Sequence, residues 1–408
     1  MKSNHRSITG ETCPRARKSA LSASTGLAGF ACIALFGLAS PFGSEAQAQV
    51  LPTGPSVTAG SATVSSGAGT LTVNQTSHNT AINWRSFSVG PDNSVVFVQP
   101  NSSSIALNRV TGQDPSAILG SLSANGRVFL INPNGILFGT GAEVNVGGLV
   151  ASTLDMSDAD LMAGRYRFSG SGGAVLNQGS ITADGGYVAL LGASVSNEGL
   201  IQANLGNVTL AAGDAMTMDV AGDGLLNVTV DKGAVNALVR NGGLIRADGG
   251  QVLMTAQAAG SLLRTVVNNS GVIEARTLQN RGGTIRLLGD MESGTMEVAG
   301  TIDASAPDGG DGGFIETSAA KVTIADGAFV TTSAPFGLTG TWLIDPEDFT
   351  IAATGGNISG ATLSALLVTN SVVIRTAPGA DGFVAGTPPV TTLGTTAPGN
   401  GDIHVNDA

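Results

Sequence analysis

The chain has 408 residues, enough for two or three ordinary domains or for one long solenoid. A hydrophobic fraction of 42% with only 12% charged residues excludes general disorder, and a formal net charge of −11 argues against nucleic acid as a partner, since that needs a basic surface. The 59 glycines and 4% aromatic residues are typical of an all-β fold with many tight corners.

The first 48 residues have the layout of an export signal peptide. Basic residues precede an apolar stretch at 27–39, which is short for a membrane span. Ala46 and Ala48 form a small-x-small cleavage site. We therefore expect cleavage after Ala48, so that the mature chain begins at Gln49.

The mature chain is more acidic than the precursor. Residues 1–48 hold five basic and two acidic residues, so 14 basic and 28 acidic residues remain, a formal charge of −14. Both cysteines, Cys13 and Cys32, lie in the signal. The mature chain therefore has no disulfide to form; small secreted proteins usually need disulfides, but a long solenoid does not.

Residues 57–99 predict several short strands, because apolar and polar residues alternate in ATVSS, TLTVNQ, INWRSFSV and SVVFVQ. Trp84 and Phe87 are among the few large aromatic residues, and we predict that they fill the core at the end of the fold. The open end of a β-solenoid needs a cap against edge pairing. An amino-terminal β cap is therefore expected here.

The most distinctive segment is GRVFLINPNGILFG at residues 126–139. Residues 128–131 are all apolar, which predicts a strand that is buried on both faces. Asn132, Pro133 and Gly135 follow at the first, second and fourth positions of a β-turn, as type I turns favour. Taken alone, this strand and corner indicate only a well-formed turn.

A repeat of the form N-x-G-x-I-x-A begins after Gly172. A second apolar strand follows each copy, and the isoleucines recur at Ile181, Ile201, Ile245, Ile273 and Ile302. The period is 20 to 22 residues if the gap of 44 is two turns, with a degenerate turn near residues 224–228. The longer later gaps predict insertions at residues 277–281 and 307–311.

This period, with two or three short strands per turn, predicts a right-handed parallel β-helix, also called a β-solenoid. Inward Ile, Val, Leu and Ala side chains would stack from turn to turn. The asparagines of the repeat are predicted to form a structural ladder along the axis, with no chemistry of their own: Asn177, Asn197, Asn241 and Asn269.

Beyond residue 338 the repeat gives way to a different pattern. Asn357 or Ser359 would cap a short helix over residues 361–367. The strands VVIRT and GDIHV follow, and the sequence stops at Ala408 just after a strand. We therefore expect that the sequence is part of a longer protein.

Few residues have the chemistry of a catalytic or metal site. His78 and His404 are far apart and the mature chain lacks cysteine, so zinc sites and Ser-His-Asp or Cys-His catalysis are poorly supported. Solvated corner loops explain the acidic groups at least as well as catalysis does: Asp303, Asp308, Asp311, Asp345, Glu347 and Asp348. We expect no enzyme, no metal and no cofactor.

The order of motifs from residue 82 to residue 157 resembles the amino-terminal secretion domain of the filamentous-haemagglutinin family, the exoproteins of two-partner secretion. The matching segments are INWRSFSVG, SVVFVQP, ALNRVTG, PSAILGSLSANGRVFLINPNGILFG and VGGLVASTLDMS. The resemblance implies a β-helix with an amino-terminal β cap. It divides the chain into a signal peptide (1–48), a secretion domain (49–300) and the start of a repetitive passenger (301–408).

The resemblance also implies which residues the partner recognises. Two signature segments of the family are matched: Asn108, Arg109, Val110 and Thr111, and then Asn132, Pro133, Asn134, Gly135 and Ile136. The family's first signature, an Asn-Pro-Asn-Leu turn, is absent, and Gln99-Pro100-Asn101-Ser102 stands near its place. This departure favours the adhesin-like branch of the family over the haemolysin-like one.

For function, the resemblance implies export by the Sec machinery, followed by an outer-membrane β-barrel transporter with periplasmic receptor domains. The product would be secreted from a Gram-negative bacterium or held on its cell surface. We favour an adhesin or surface filament that contacts host or bacterial cells, since repeats without catalytic clusters form an extended surface. The alternatives are the stalk of a toxin-delivery protein and a carbohydrate-active β-helix enzyme.

Overall fold

The computed structural model of the chain describes residues 51–220, 226–259, 266–376 and 401–407. The predicted signal peptide, with Ala46 and Ala48, lies outside the described residues. Within these ranges, no helix is both long enough and apolar enough to cross a membrane. Strands predominate, and most of them belong to three long sheets, named A, B and C below.

Each long sheet collects one strand from each successive turn of the chain. In the part of the chain that the structure describes, sheet A has twelve strands: Ser56–Ala59, Asn79–Trp84, Ile105–Val110, Arg127–Ile131, Gly148–Ser152, Tyr187–Gly192, Asn207–Ala212, Gln251–Ala256, Thr284–Leu288, Phe314–Ser318, Thr341–Asp345 and Ser371–Ile374. Sheet B has eight among the same residues: Ser116–Ile118, Ile136–Phe138, Ala174–Asn177, Ser194–Asn197, Leu238–Asn241, Val266–Asn269, Thr295–Val298 and Lys321–Ile324. Sheet C has eleven described strands: Ala62–Gly67, Thr70–Gln75, Ser94–Val98, Ser121–Ala124, Glu143–Asn145, Ser180–Thr182, Leu200–Gln202, Leu244–Arg246, Val272–Glu274, Thr301–Asp303 and Phe329–Thr331.

The three sheets are the walls of a right-handed parallel β-helix, which confirms the predicted fold. From residue 127 the chain passes from sheet A to sheet B to sheet C and back to sheet A. Successive turns pair in parallel and in register, and the buried isoleucines of the repeat form one column: Ile181, Ile201, Ile245, Ile273 and Ile302. Apolar stacking of this kind is the main stabilising contribution along the axis.

Antiparallel pairs close the amino-terminal end of the β-helix. Ser56–Ala59 pairs antiparallel with Asn79–Trp84, and a second antiparallel pair forms the end of sheet C. Trp84 and Phe87 are both buried there, with ring centroids 5.4 Å apart in an edge-to-face contact. The predicted β cap and the predicted core position of both aromatic residues are confirmed.

Two excursions from the β-helix cover the outer face of sheet A, and the sequence reasoning missed both. They comprise a helix and three antiparallel strands: Asp158–Met162, Tyr166–Ser169, Ala215–Val220 and Leu226–Lys232. The predicted degenerate turn near residues 224–228 is therefore wrong. Because Ser194–Asn197 pairs directly with Leu238–Asn241, the gap of 44 residues holds one turn and a long hairpin.

The excursions give sheet A a second hydrophobic core. Val128 and Leu130 face the interior of the β-helix, whereas Phe129 and Ile131 face the excursions, where they pack with Phe168. All five side chains are buried. The prediction of a strand buried on both faces is confirmed, and the second core is its physical reason.

Four asparagine side chains stack inside the β-helix at the ends of sheet B strands. Asn177 Nδ2 donates to Asn197 Oδ1 at 2.7 Å, Asn197 to Asn241 at 2.8 Å, and Asn241 to Asn269 at 2.8 Å. All four are fully buried. Each amide also donates to a backbone carbonyl of the following turn, so the column joins turns through both side chain and main chain.

A short helix and its flanks cover the last turns. Helix Gly360–Leu366 begins after Ser359, whose side chain accepts a hydrogen bond from the Thr362 backbone, as predicted for Ser359. Asn357 Nδ2 donates to the Val322 carbonyl at 2.6 Å and so occupies the edge of sheet B. The strand Phe349–Ile351 pairs with Ile403–Val405 beside them.

We expect Asn197→Leu to lower the free energy of unfolding by about 2 to 4 kcal/mol. It removes one acceptor and one donor, so the Asn177 amide and the Asn241 oxygen lose partners inside the core. Urea unfolding measures the difference. Asn145→Leu is the matched control, because Asn145 is exposed on sheet C. Equal loss in both variants would contradict a stabilising role for the column.

Candidate functional site

The two signature segments meet at one corner of the β-helix. The segment 108–111 ends a strand of sheet A, and the segment 132–136 forms the corner between sheets A and B on the next turn. Asn134 Nδ2 donates to the backbone oxygen of Gly112 at 3.0 Å, across 22 positions of sequence. The structure therefore brings together what the sequence predicted as two separate pieces.

Asn132 holds this corner from the inside. Its side chain is fully buried, and Nδ2 donates to the Asp114 carbonyl and to Ser116 Oγ, both at 3.0 Å. Oδ1 accepts from the Asn134 backbone at 3.0 Å, and the Gly135 amide donates to the Asn132 carbonyl at 3.1 Å. The last contact closes the predicted β-turn. Gly135 has φ +120°, a conformation that side chains disfavour.

Asn108 and its neighbours hold the aromatic core of the cap. Trp84 Nε1 donates to Asn108 Oδ1 at 3.0 Å, and the Asn108 amide donates to the Ala106 carbonyl at 3.0 Å. Val110 packs into the same core. Thr111 Oγ1 donates to the Trp84 carbonyl at 3.0 Å. This segment therefore fixes the buried tryptophan by both its ring and its backbone.

Arg109 points the other way, towards the first excursion. Nε contacts Asp155 Oδ1 and Nη1 contacts Asp158 Oδ1, both at 2.8 Å. Nη1 also donates to Asn83 Oδ1 at 3.0 Å, and Nη2 donates to the Met156 carbonyl. Burial alone lowers the pKa of Arg109, but the hydrogen bonds and charges of the two aspartates outweigh it and raise that pKa above its ordinary value. The guanidinium therefore stays charged.

Of the nine signature residues, Thr111, Pro133 and Asn134 are exposed. The connecting loop adds Gln113 and Asp114, which are also exposed and which the sequence reasoning missed. These five residues are called the corner surface below. In the sequence, Gln113 and Asp114 could have been found only from their position between the two signature segments.

The segment near the absent first signature is also structural. Gln99 is buried, and its Nε2 donates to Gln75 Oε1 and to the Ser104 carbonyl, both at 3.0 Å. Gln99 Oε1 accepts from the Gly126 amide at 3.0 Å. Asn101 Oδ1 accepts from the Ser103 amide at 3.0 Å and closes the turn. A buried amide network thus holds this corner.

Two of the acidic residues considered for catalysis accept hydrogen bonds from loop backbone. Asp303 Oδ1 accepts from the Ser305 amide, and Asp311 Oδ1 accepts from the Leu338 amide, both at 2.8 Å. Across the described ranges, no three His, Cys, Asp or Glu side chains form a group that could hold a metal ion.

A family model described as the TPS secretion domain matches residues 48–304. The chain belongs to the TPS secretion domain family. It contains the secretion domain of a two-partner secretion exoprotein. The crystal structure of the HMW1 secretion domain from Haemophilus influenzae is similar, with a TM-score of 0.57 and 27% identity, and the match covers 73% of this chain and 88% of that one.

Two curated relatives are heme/hemopexin-binding proteins of Haemophilus influenzae. One is 38% identical over 255 residues, which is 60% of this chain and 28% of the relative. The other is 36% identical over 245 residues, which is 54% of this chain and 26% of the relative. The chain therefore spans about a quarter of the length of the curated relatives it matches.

Asp345 lies beyond the family match and is unusual among the carboxylates. It is 7% exposed, and among the described residues one of its carboxylate oxygens has no hydrogen-bond partner. Burial raises the pKa of Asp345 to about 6; Arg375 opposes this rise and Glu316 adds to it. The folded chain thus binds this proton more tightly than the unfolded chain does.

We expect Asp345→Asn to raise the free energy of unfolding at pH 7 by about 2 to 3 kcal/mol. With the folded pKa above the unfolded one, wild-type stability from this group falls as pH rises from about 4 to about 6. Urea unfolding at pH 4 and pH 7 should show the gain only at pH 7. Asp308→Asn, in an exposed loop, is the control; an equal gain there would contradict this.

Proposed function

We propose that the domain directs a two-partner secretion exoprotein to an outer-membrane β-barrel transporter with periplasmic receptor domains. The observation that carries this proposal is the family match over residues 48–304, on a β-helix whose amino-terminal end is capped. We propose the division into signal peptide (1–48), secretion domain (49–300) and passenger (301–408). The protein would be secreted from a Gram-negative cell.

The proposed route uses the physical order of the fold. After Sec export and signal cleavage, the cysteine-free chain would cross the outer membrane unfolded. Successive turns pair in register, so each finished turn offers the next a strand edge and an apolar column to stack on. Release of folding free energy outside the membrane would then favour movement in one direction.

The corner surface is our proposed contact for the receptor domains. Both signature segments contribute to it, and Asn132 together with the Asn134–Gly112 hydrogen bond fixes its shape. Pro133 and Asn134 present exposed groups there, whereas Asn108 and Asn132 are buried in the folded chain. In the unfolded chain the signature segments are open to strand addition by the partner.

For the whole protein we propose a secreted, non-enzymatic adhesin or surface filament. The repeated outer surface of the β-helix supports an extended contact with host or bacterial cells. Heme or hemopexin binding is a second candidate, favoured by the name of the relative with 38% identity. A toxin-delivery stalk and a carbohydrate-active enzyme are the remaining alternatives.

We expect the tagged precursor, residues 1–408, to reach the medium of a Gram-negative host only when its cognate barrel is co-expressed. The physical reason is that a chain of this size crosses the outer membrane through a dedicated pore. Immunoblots of medium, periplasm and cells measure the distribution. Periplasmic retention of a folded β protein with and without the barrel would overturn the proposal.

We expect Asn132→Val and Asn134→Val to reduce secretion several-fold more than Asn145→Val. Asn145 is the matched exposed position on sheet C. Asn132→Val should also lower the free energy of unfolding by about 2 kcal/mol, since the buried Ser116 hydroxyl and the Asp114 carbonyl lose their hydrogen bonds to Asn132. Asn134 is exposed, so its variant should lose less stability.

Secretion of each variant is measured beside its urea unfolding curve. A secretion defect at Asn134 without a matching stability defect supports a partner contact at the corner surface. Equal secretion of all three variants would contradict the proposed role of the signature residues in secretion.

A further inference from the structure

One short segment on the outer face of sheet A contacts strands that are far away in sequence. It comprises residues 155–161 and is called the closing segment below. Asp158 Oδ2 accepts from Thr58 Oγ1 at 2.6 Å, across 100 positions of sequence. Asn79 Nδ2 donates to the Leu161 carbonyl at 3.2 Å, across 82 positions. The segment therefore contacts the first two strands of sheet A, at its amino-terminal end.

Arg109 joins the same segment to the third strand of sheet A. The Asp158 carboxylate is shared, with Oδ1 on Arg109 and Oδ2 on Thr58. The Arg109 side chain is 16% exposed, whereas Asp155 is 53% exposed. A guanidinium that is this deeply covered is costly without acceptors, so its burial and the arrival of the closing segment are coupled.

Apolar packing adds to this polar contact. Leu161 is fully buried in the outer core, together with Ala81, Ile105 and Leu107 from the first two parallel strands of sheet A. Because the removal of apolar surface from water is favourable, burial of this leucine favours docking. The closing segment thus binds by one apolar anchor and one ionic anchor.

The strand that Thr58 belongs to is the amino-terminal edge strand of sheet A. Ser56–Ala59 stands at the edge of sheet A, and among the described strands it pairs only with Asn79–Trp84. Its register shifts between Val57 and Ala59, and Val57 is 39% exposed. The backbone on either side of the strand is hydrogen-bonded to residues 85–86 and 76–77, and at its centre Thr58 Oγ1 contacts both Asp158 and, at 3.4 Å, the Ala81 carbonyl.

We infer that the closing segment is the lock of the amino-terminal cap, which closes only when residues 155–161 dock beside Ser56–Ala59. Before docking, the edge strand lacks its contact from Thr58 to Asp158, and the Arg109 guanidinium lacks three of its four acceptors. After docking, three strands of sheet A and the first excursion form one unit. The charge balance agrees: burial raises the pKa of Asp158, but hydrogen bonds from Thr58 and Arg109 outweigh it and lower that pKa.

The consequence for transport rests on the proposed function. If the chain folds as it leaves the pore, the cap stays open until about a hundred residues beyond Thr58 have followed it. During this interval the edge of Asn79–Trp84 is available to a partner strand. Docking of the closing segment then completes the cap, and the edge of Asn79–Trp84 is no longer open to a partner strand.

Hydrogen exchange on the purified full chain tests the lock without any transporter. Asp158→Asn removes the charge of the shared carboxylate, and Thr58→Val removes the hydroxyl that donates to it, together with a 3.4 Å contact to the Ala81 carbonyl; both keep the size of the side chain. We expect amides of Ser56–Ala59 and Asn79–Trp84 to exchange about tenfold faster in both variants. The amides of sheet B should exchange at the wild-type rate.

Arg165→Ala is the matched control. It breaks the exposed ion pair between Arg165 and Asp160, 2.8 Å, at the same helix but away from the cap strands. Arg109→Lys should give an intermediate exchange rate, because one ammonium cannot reach all four acceptors. Wild-type exchange in Thr58→Val and Asp158→Asn would overturn the lock. Equally fast exchange throughout sheet B would overturn it too, since the contact would then serve only global stability.

The result is separable from the secretion proposal. Faster hydrogen exchange confined to the cap strands, combined with secretion that does not need the barrel, would support the lock and contradict the transporter proposal. Barrel-dependent secretion, combined with wild-type exchange in Thr58→Val and Asp158→Asn, would support the transporter proposal and contradict the lock.

Discussion

From Asn79–Trp84 to Asn207–Ala212, sheet A is buried on both of its faces, and this is the constraint on which the amino-terminal part of the structure depends. Parallel sheets are stable when both faces are covered, and a β-helix by itself covers only the inner one. Here the excursions supply the outer layer over the amino-terminal turns, where Phe129 and Phe168 meet. Further along the axis the same face is charged instead, with Arg286 and Glu316 3.3 Å apart. The outer layer therefore covers the turns in which the signature segments lie.

The sequence predicts what depends on local spacing. The isoleucine column, the β-turn closed by Asn132 and Gly135, and the helix cap at Ser359 all follow from residue types a few positions apart. The hairpin at 215–232 escaped notice, because its strands alternate like those of the β-helix and its length suits a second turn of 22. Length alone cannot distinguish a turn of the β-helix from a hairpin of equal size.

The sequence predicted which residues form the candidate site, but not what each side chain contacts. Nine residues were named from the signature, yet their side chains go to three different places: the interior of the β-helix, the first excursion and the solvent. Alternation along one strand decides this, since Asn108 faces inward to Trp84 and Arg109 faces outward to Asp155. The partners of Arg109 stand 46 and 49 positions away, beyond the reach of any local pattern.

This division has a consequence for recognition. A receptor that meets the folded domain can reach Pro133 and Asn134, but the amides of Asn108 and Asn132 are spent on internal partners. A receptor that meets the extended chain can reach all of them. Folding and recognition then compete for the same polar groups, and each internal hydrogen bond that forms removes a group from the receptor. A signature built largely of buried residues therefore suits a partner that binds the chain before it folds. Folding then buries the residues that the partner bound, and the chain is released.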